Sequence, residues 1–262
     1  MIHVACTLAR PMPSTAPLPT FIIIGAQKSA TRWLRTNLGR HPEVFTALQE
    51  VKFFNQPRRY AGLGAEWYRQ QFEGAGSAPI VGEATPGYLM WVHGPGEVAR
   101  RIDEDVPDVR LIALLRDPID RAQSALVHHI REERIHPSAK LLDVVRRQDP
   151  EDDWLGVVTG GWYASSLEPY LRRFGDRLLV LLHDDLRSQA HQVYSEALRH
   201  IGASDEFVPA AINEVTNSNQ REAGRRSAVT PQERTQLFEY FRDDVDRLER
   251  LIGRDLSAWR PH

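Results

Sequence analysis

Three short runs, residues 21–24 (Phe-Ile-Ile-Ile), 111–115 (Leu-Ile-Ala-Leu-Leu) and 178–182 (Leu-Leu-Val-Leu-Leu), are apolar at every position. A strand with one wet face alternates apolar and polar residues. A strand that is apolar throughout must be covered on both faces, which is the condition of a central parallel sheet. A weaker fourth strand is predicted at 80–82, and helix-like segments are predicted at 30–39, 95–104, 117–130, 162–174 and 189–201. Strand and helix therefore alternate, and the expected fold class is α/β: three layers, with a central parallel sheet flanked by helices. Near the C-terminus, Thr230, Pro231 and Glu233 form the start signal of a long helix whose stripe is Leu237, Phe241, Val245, Leu248 and Ile252. The Thr and Glu are spaced as a capping box, and the stripe is expected to face the core.

A chain of 262 residues, 42% apolar, can close one sizeable core. Residues 20–262 are read as a single domain behind an N-terminal tail, 1–19, stiffened by Pro11, Pro13, Pro17 and Pro19. Lys and Arg total 33 against 35 Asp and Glu, so no global positive field gathers nucleic acid, and any anion site must be built locally. The single Cys6 leaves no internal disulfide, which points to the cytoplasm. No segment has the ~18 uninterrupted apolar residues of a membrane span.

Two stretches carry anion-binding chemistry. Directly after the first apolar run stands Gly25-Ala26-Gln27-Lys28-Ser29-Ala30-Thr31-Arg32-Trp33-Leu34. A strand, a small-residue turn and a helix start gather unpaired N–H groups and the positive end of a helix dipole around one point, and Lys28 adds a full charge. A Walker A loop needs a glycine directly before its lysine and a second further back; Gln27 and Ile22 stand there instead. The second stretch follows the second apolar run: Arg116-Asp117-Pro118, then Arg121 and Ser124. Ligands of parallel α/β sheets collect beyond the carboxyl ends of strands, so Arg116 is expected to share a crevice with the first loop, with Ser124 adding a hydroxyl. The alternative is a local Arg116–Asp117 ion pair. A polar stretch from 213 to 229, holding Arg221, Arg225 and Arg226, reads as a loop. Residues 146–154, with Asp149, Glu151, Asp152 and Asp153, read as surface.

Together these motifs resemble the sulfotransferases that use 3′-phosphoadenosine 5′-phosphosulfate (PAPS), nearest the bacterial and heparan-sulfate-type branch. That family's phosphosulfate loop, Gly-x-x-Lys-x-x-Thr-x-x-Leu, is matched by Gly25, Lys28, Thr31 and Leu34. Its 3′-phosphate motif is matched by Arg116, Asp117, Pro118, Arg121 and Ser124. Between them stand His41-Pro42-Glu43-Val44, Glu50-Val51-Lys52-Phe53-Phe54 and Glu83-Ala84-Thr85-Pro86-Gly87-Tyr88, and further on Gly161-Trp162-Tyr163. The likeness runs from about residue 20 to 259. Lys52 and Ala84 depart from it, standing where heparan-type members carry histidine and lysine.

The resemblance implies a P-loop-like fold and metal-free sulfuryl transfer from PAPS, leaving PAP, onto a hydroxyl or amine of a small-molecule or carbohydrate acceptor. It implies a donor site of Gly25, Gln27, Lys28, Ser29, Ala30, Thr31 and Arg32 at the 5′ end. Arg116 and Ser124, with Arg221, Arg225 and Arg226, would grip the 3′-phosphate. Glu50 is the implied general base, with Lys52 beside it if residues 50–52 are extended. His128 or His129 is the competing base, at most one of them facing the cleft because helical neighbours point about 100° apart. Glu83, Tyr88, Trp162 and Tyr163 are implied on the acceptor side, with Trp91 and Trp154 as further aromatic candidates. A P-loop-type small-molecule kinase and a catalytically inactive nucleotide-binding protein are the rival readings.

Overall fold

The computed structural model describes residues 16–147, 149–213 and 229–261. Its centre is a five-stranded sheet in the order β2-β3-β1-β4-β5, with every pairing parallel. The strands are β1 (Phe21–Gly25), β2 (Val44–Thr46), β3 (Ile80–Ala84), β4 (Arg110–Leu115) and β5 (Leu178–Leu182). Successive side chains of a strand point to opposite faces, and the apolar runs supply both. Ile22, Ile24, Leu111, Ala113 and Leu115 join the core on one face. Phe21, Ile23, Ile112 and Leu114 join the core on the other.

Helices cover both faces. Trp33, Leu34 and Leu38 of α1 (Thr31–Leu38) share one core with the apolar stripe of α7 (His183–Ile201). The other core takes α3 (Pro95–Asp105), α4 (Pro118–Arg131), α5 (Leu141–Arg147), α6 (Tyr163–Phe174), and two C-terminal helices, α8 (Pro231–Phe238) and α9 (Arg242–Ile252). The three-layer P-loop-like α/β class read from the sequence is the observed one.

The departures are local. β2 is three residues long and pairs at the sheet edge, too short to give a pattern. α2 (Pro57–Gln70) buries only Tyr68 and is interrupted at Gly64 (φ 72°), so it lacks a core stripe. α7 begins six residues before the predicted start, with a first turn that holds Asp184 and Asp185, and kinks at Gln189. The long C-terminal helix is two helices: the chain turns at residues 239–241 and restarts with Asp243 and Asp244 in the first turn of α9. The stripe still points inward, with Leu237, Phe241, Val245 and Leu248 wholly buried, and the capping box of Thr230 and Glu233 is formed. Folded contacts begin inside the stretch assigned to a tail: Ala16 is buried, and its carbonyl accepts from Arg69 Nη1 at 3.3 Å. Asp153 was placed on the surface, yet it is wholly buried. Its carboxylate accepts from the N–H groups of Val157, Val158 and Thr159 at 2.7–2.9 Å, which compensates its burial.

Gly82 marks the tightest point of the sheet. A Cβ built there would lie 2.3 Å from the ring of Phe21 on the neighbouring strand. Gly82→Ala is expected to lower unfolding free energy by about 1–3 kcal/mol through overpacking, measured by urea denaturation; an unchanged midpoint would contradict the packing described.

Candidate active site

The turn after β1 holds two non-glycine residues in the left-handed region, Lys28 (φ 71°) and Ala30 (φ 68°). Each such residue costs on the order of 1–2 kcal/mol, and alternating left- and right-handed residues aim successive N–H groups into one concavity suited to an anion. Gly25 lets the turn sit low: a Cβ there would come within 2.5 Å of Leu89 Cβ. α1 starts at Thr31 with no side-chain cap and no acidic residue in its first turn. Lys28 and Arg32 flank its positive end, the reverse of what the helix dipole favours. Uncapped N–H groups with extra cations beside them fit an anion that balances both. Among the described residues, the buried Gln27 Oε1 and Ser29 Oγ have no well-formed hydrogen bond, as expected where a ligand completes a turn.

β4 lies directly beside β1, and Ala26 N donates to Leu114 O at 2.9 Å. Arg116, the first residue beyond β4, therefore emerges next to the turn, and its Nη1 donates to Lys28 O at 3.4 Å. The Arg116–Asp117 pair is not formed. Asp117 caps α4, accepting from Ile119 N at 2.8 Å and Asp120 N at 3.0 Å. Its other oxygen accepts from Arg234 Nη1 at 2.8 Å. Among the described residues, the carboxylate that Arg116 reaches is that of Asp120, 3.8 Å away. Burial, then the charges of Arg131, Arg116 and Arg121, push the Lys28 amine below its usual value. Like charges held together in a partly desolvated place favour a bound anion, which would restore the lysine's affinity for its proton.

Ser124 and His128 lie four residues apart on one face of α4. Burial and then the charge of Lys28 lower the His128 pKa, so this face looks toward the turn. His129 is turned away: its ring Nε2 meets Leu155 O at 3.1 Å, and burial pushes it down to about 4.

Residues 50–52 do not form an extended run. Lys52 is left-handed (φ 54°), and its Nζ meets Glu50 Oε2 at 3.2 Å through a turn, with both side chains about half exposed. A buried carboxylate holds that turn in place. Glu83, at the end of β3, accepts from Tyr68 and Tyr88 hydroxyls at 3.0 and 2.9 Å and from Thr85 Oγ1 at 2.6 Å. Thr85 Oγ1 in turn accepts from Lys52 N at 3.2 Å, and Tyr88 Oη accepts from Phe53 N at 3.1 Å. Glu83 and Tyr88, placed on the acceptor side by resemblance, are wholly buried; they position the Glu50–Lys52 turn from beneath. Tyr163 is also buried, and its Oη donates to Arg116 O at 2.8 Å. Trp162 is half-buried and meets Trp91 edge to face at 5.5 Å, whereas Trp154 is exposed. Arg221, Arg225 and Arg226 lie outside the described residues, as does Cys6.

The sequence reading did not single out Tyr68, His93 or Arg234. His93 is half-buried and held below its usual pKa by burial and then by Lys52, which sets it near the Glu50–Lys52 turn. No spacing rule links these residues to the motifs, because they arrive from separate elements. Among the described residues no group of His, Cys, Asp or Glu could hold a metal ion, and no helix is long and apolar enough to cross a membrane.

A parallel sheet with a turn suited to an anion after its central strand, and an arginine at the end of the next strand, defines an α/β protein of the P-loop-like class. A model of the sulfotransferase domain family matches residues 18–242, and the chain belongs to that family. The chain is similar to the human bifunctional heparan sulfate N-deacetylase/N-sulfotransferase 3, at 26% identity over 92% of this chain and 31% of the relative. It is also similar to the Mus musculus heparan sulfate glucosamine 3-O-sulfotransferase 3B1, at 34% identity over 62% of this chain and 41% of the relative. It thus spans less than half the length of either relative. Among solved structures, a sulfotransferase from Alicyclobacillus acidocaldarius superposes with a TM-score of 0.75 at 27% identity, covering 93% of this chain and 99% of that one.

The Glu83 network sets a pH signature. Burial raises the Glu83 carboxyl from an ordinary 4.5 to about 6, against the opposing hydrogen bonds. The native state therefore holds this proton more tightly than the unfolded chain. Its contribution is greatest below about 4.5 and is lost as pH rises through about 6. In urea denaturation between pH 4 and 7.5, the stability of wild type relative to Glu83→Gln is expected to fall by about 2 kcal/mol and then level off. A difference that is flat or rises with pH would contradict this assignment.

Proposed function

We propose that the protein is a PAPS-dependent sulfotransferase that moves a sulfuryl group onto a hydroxyl or amine of a small-molecule or carbohydrate acceptor. The observation that carries this reading is the meeting of Lys28 and Arg116 at the ends of adjacent parallel strands, linked by the 3.4 Å contact from Arg116 Nη1 to Lys28 O. Two cationic subsites side by side suit a nucleotide phosphorylated at both ends. In this reading the turn N–H groups, Lys28, Thr31 and Arg32 hold the 5′ side. Arg116 and Ser124 hold the 3′-phosphate, with Arg221, Arg225 and Arg226 assigned there from sequence alone. The family match supports the reaction class, and the names of the two relatives support a carbohydrate acceptor. We place the protein in the cytoplasm on its single cysteine.

Sulfuryl transfer is an in-line displacement. The acceptor's O–S or N–S bond forms, the bond from sulfur to the bridging oxygen breaks, and the acceptor's proton leaves. Glu50, half exposed and 3.2 Å from Lys52, is the group assigned to take that proton. Lys28 is assigned to the negative charge that grows on the departing phosphate, and Lys52 to the sulfuryl oxygens. His128 is the second candidate base, favoured by one observation: burial and Lys28 hold its pKa down, so it is neutral and able to accept a proton near pH 7. The kinase reading lacks its glycine pattern at Ile22 and Gln27.

Radiolabelled PAPS incubated with the protein and a metabolite extract of its source cell is expected to label an acceptor. Lys28→Ala should lose about 100–1,000-fold in rate, and Glu50→Gln about 100–10,000-fold. Undiminished transfer by Glu50→Gln would move the base to His128, and phosphate transfer from ATP with magnesium would establish the kinase. PAP at 100 times its Kd is expected to stabilise the fold by about 2.7 kcal/mol. That corresponds to a rise of about 5–10 °C in Tm for a chain of this size, and Arg116→Ala should abolish most of it.

A further inference from the structure

Tyr163 is 1% exposed, so its phenol cannot reach an acceptor. It opens α6, and the start of that helix is fixed from outside. Asp244 of α9 accepts from Ala164 N at 2.9 Å, and from Ser165 N and Ser165 Oγ at 3.1 Å each. These bonds satisfy N–H groups that no residue of α6 itself caps, and they aim Tyr163 at the floor of the crevice. There the phenol holds the backbone from which Arg116 projects: its Oη donates to Arg116 O at 2.8 Å. Burial raises its pKa to about 12, which keeps it protonated and donating throughout the working range. Arg116 Nη1 in turn contacts Lys28 O, so the phenol pins the one residue that joins the two halves of the site.

We infer that Tyr163 is a positioning residue of the donor site, one that fixes the spacing between the Lys28 turn and Arg116 and so lets one molecule use both phosphate subsites. This rests on the sulfotransferase reading above and moves Tyr163 from the acceptor side, where resemblance alone had put it. A ligand carrying both phosphates depends on the spacing between subsites; a ligand carrying only one does not. The predicted signature of Tyr163 is therefore a selective loss of the advantage that a second phosphate confers.

The test is calorimetric binding of PAP and of 5′-AMP to the full chain, for wild type and Tyr163→Phe, with the acceptor KM measured alongside. Removing one buried hydrogen bond is expected to weaken PAP by about 5–10-fold. Binding of 5′-AMP should change by less than about twofold, and the acceptor KM should stay unchanged. Asp244→Asn, which keeps the phenol but loosens its helix, should show the same PAP-selective loss at smaller size, and it carries the test if Tyr163→Phe does not fold. Equal weakening of both nucleotides would reduce Tyr163 to a structural residue and overturn the inference. So would unchanged PAP affinity with a raised acceptor KM. A wild type that binds no PAP would overturn the sulfotransferase reading and the inference with it, whereas PAP binding indifferent to Tyr163→Phe and Asp244→Asn would overturn the inference alone.

Discussion

The parallel pairing of β1 with β4 is the interaction on which the rest of the site depends. Strands in a parallel pair run the same way, so the residues that follow them emerge at the same edge. Leu114 O accepts from Ala26 N, and Arg116 then reaches the carbonyl of Lys28. Two residues 88 positions apart in the chain are thereby neighbours. Both strands lie in a sheet buried on both faces, which fixes this spacing. The lowered pKa of Lys28 comes from its burial first, and then from the charges of Arg131, Arg116 and Arg121 gathered around it.

A second constraint lies at the end of β3. Glu83 is a charged group with no exposure, and it is tolerated because two phenols and a threonine hydroxyl donate to it. Two of these hydroxyls, those of Thr85 and Tyr88, accept from the backbone of Lys52 and Phe53. The network thus converts a buried carboxylate into a fixed backbone path for the turn carrying Glu50. Tyr163 has the corresponding place beneath Arg116, and Asp244 stands behind it. Both places rest on buried hydroxyls that hold backbone segments by hydrogen bonds.

Much of the fold was legible because buried parallel strands leave an unbroken apolar run. Residues 21–24, 111–115 and 178–182 each lie within an observed strand. Elements without such a record escaped: β2 is three residues at an edge, and α2 buries one side chain. The C-terminal stripe was read correctly as inward, but its break at 239–241 was invisible, since two helices joined by a short turn can keep one apolar periodicity. In the site, the turn after β1 and the arginine after β4 were readable as motifs. The directions of Glu83, Tyr88 and Tyr163 were not: tyrosine and glutamate near motif residues read equally well as ligand contacts or as buried supports, and only burial separates the two.

The sequence by itself determined the layers, the strand-turn-helix at Lys28 and the cationic residue after β4, because each is encoded by residues within a few positions of one another. Tertiary structure alone decided which strands are neighbours, that Asp117 pairs with Arg234 rather than Arg116, and that Glu83 and Tyr163 point inward. The physical reason is range. Local patterns follow from backbone geometry and hydrophobic periodicity. Partner choice among charged and hydroxyl groups depends on which segments the packed sheet brings within about 3 Å.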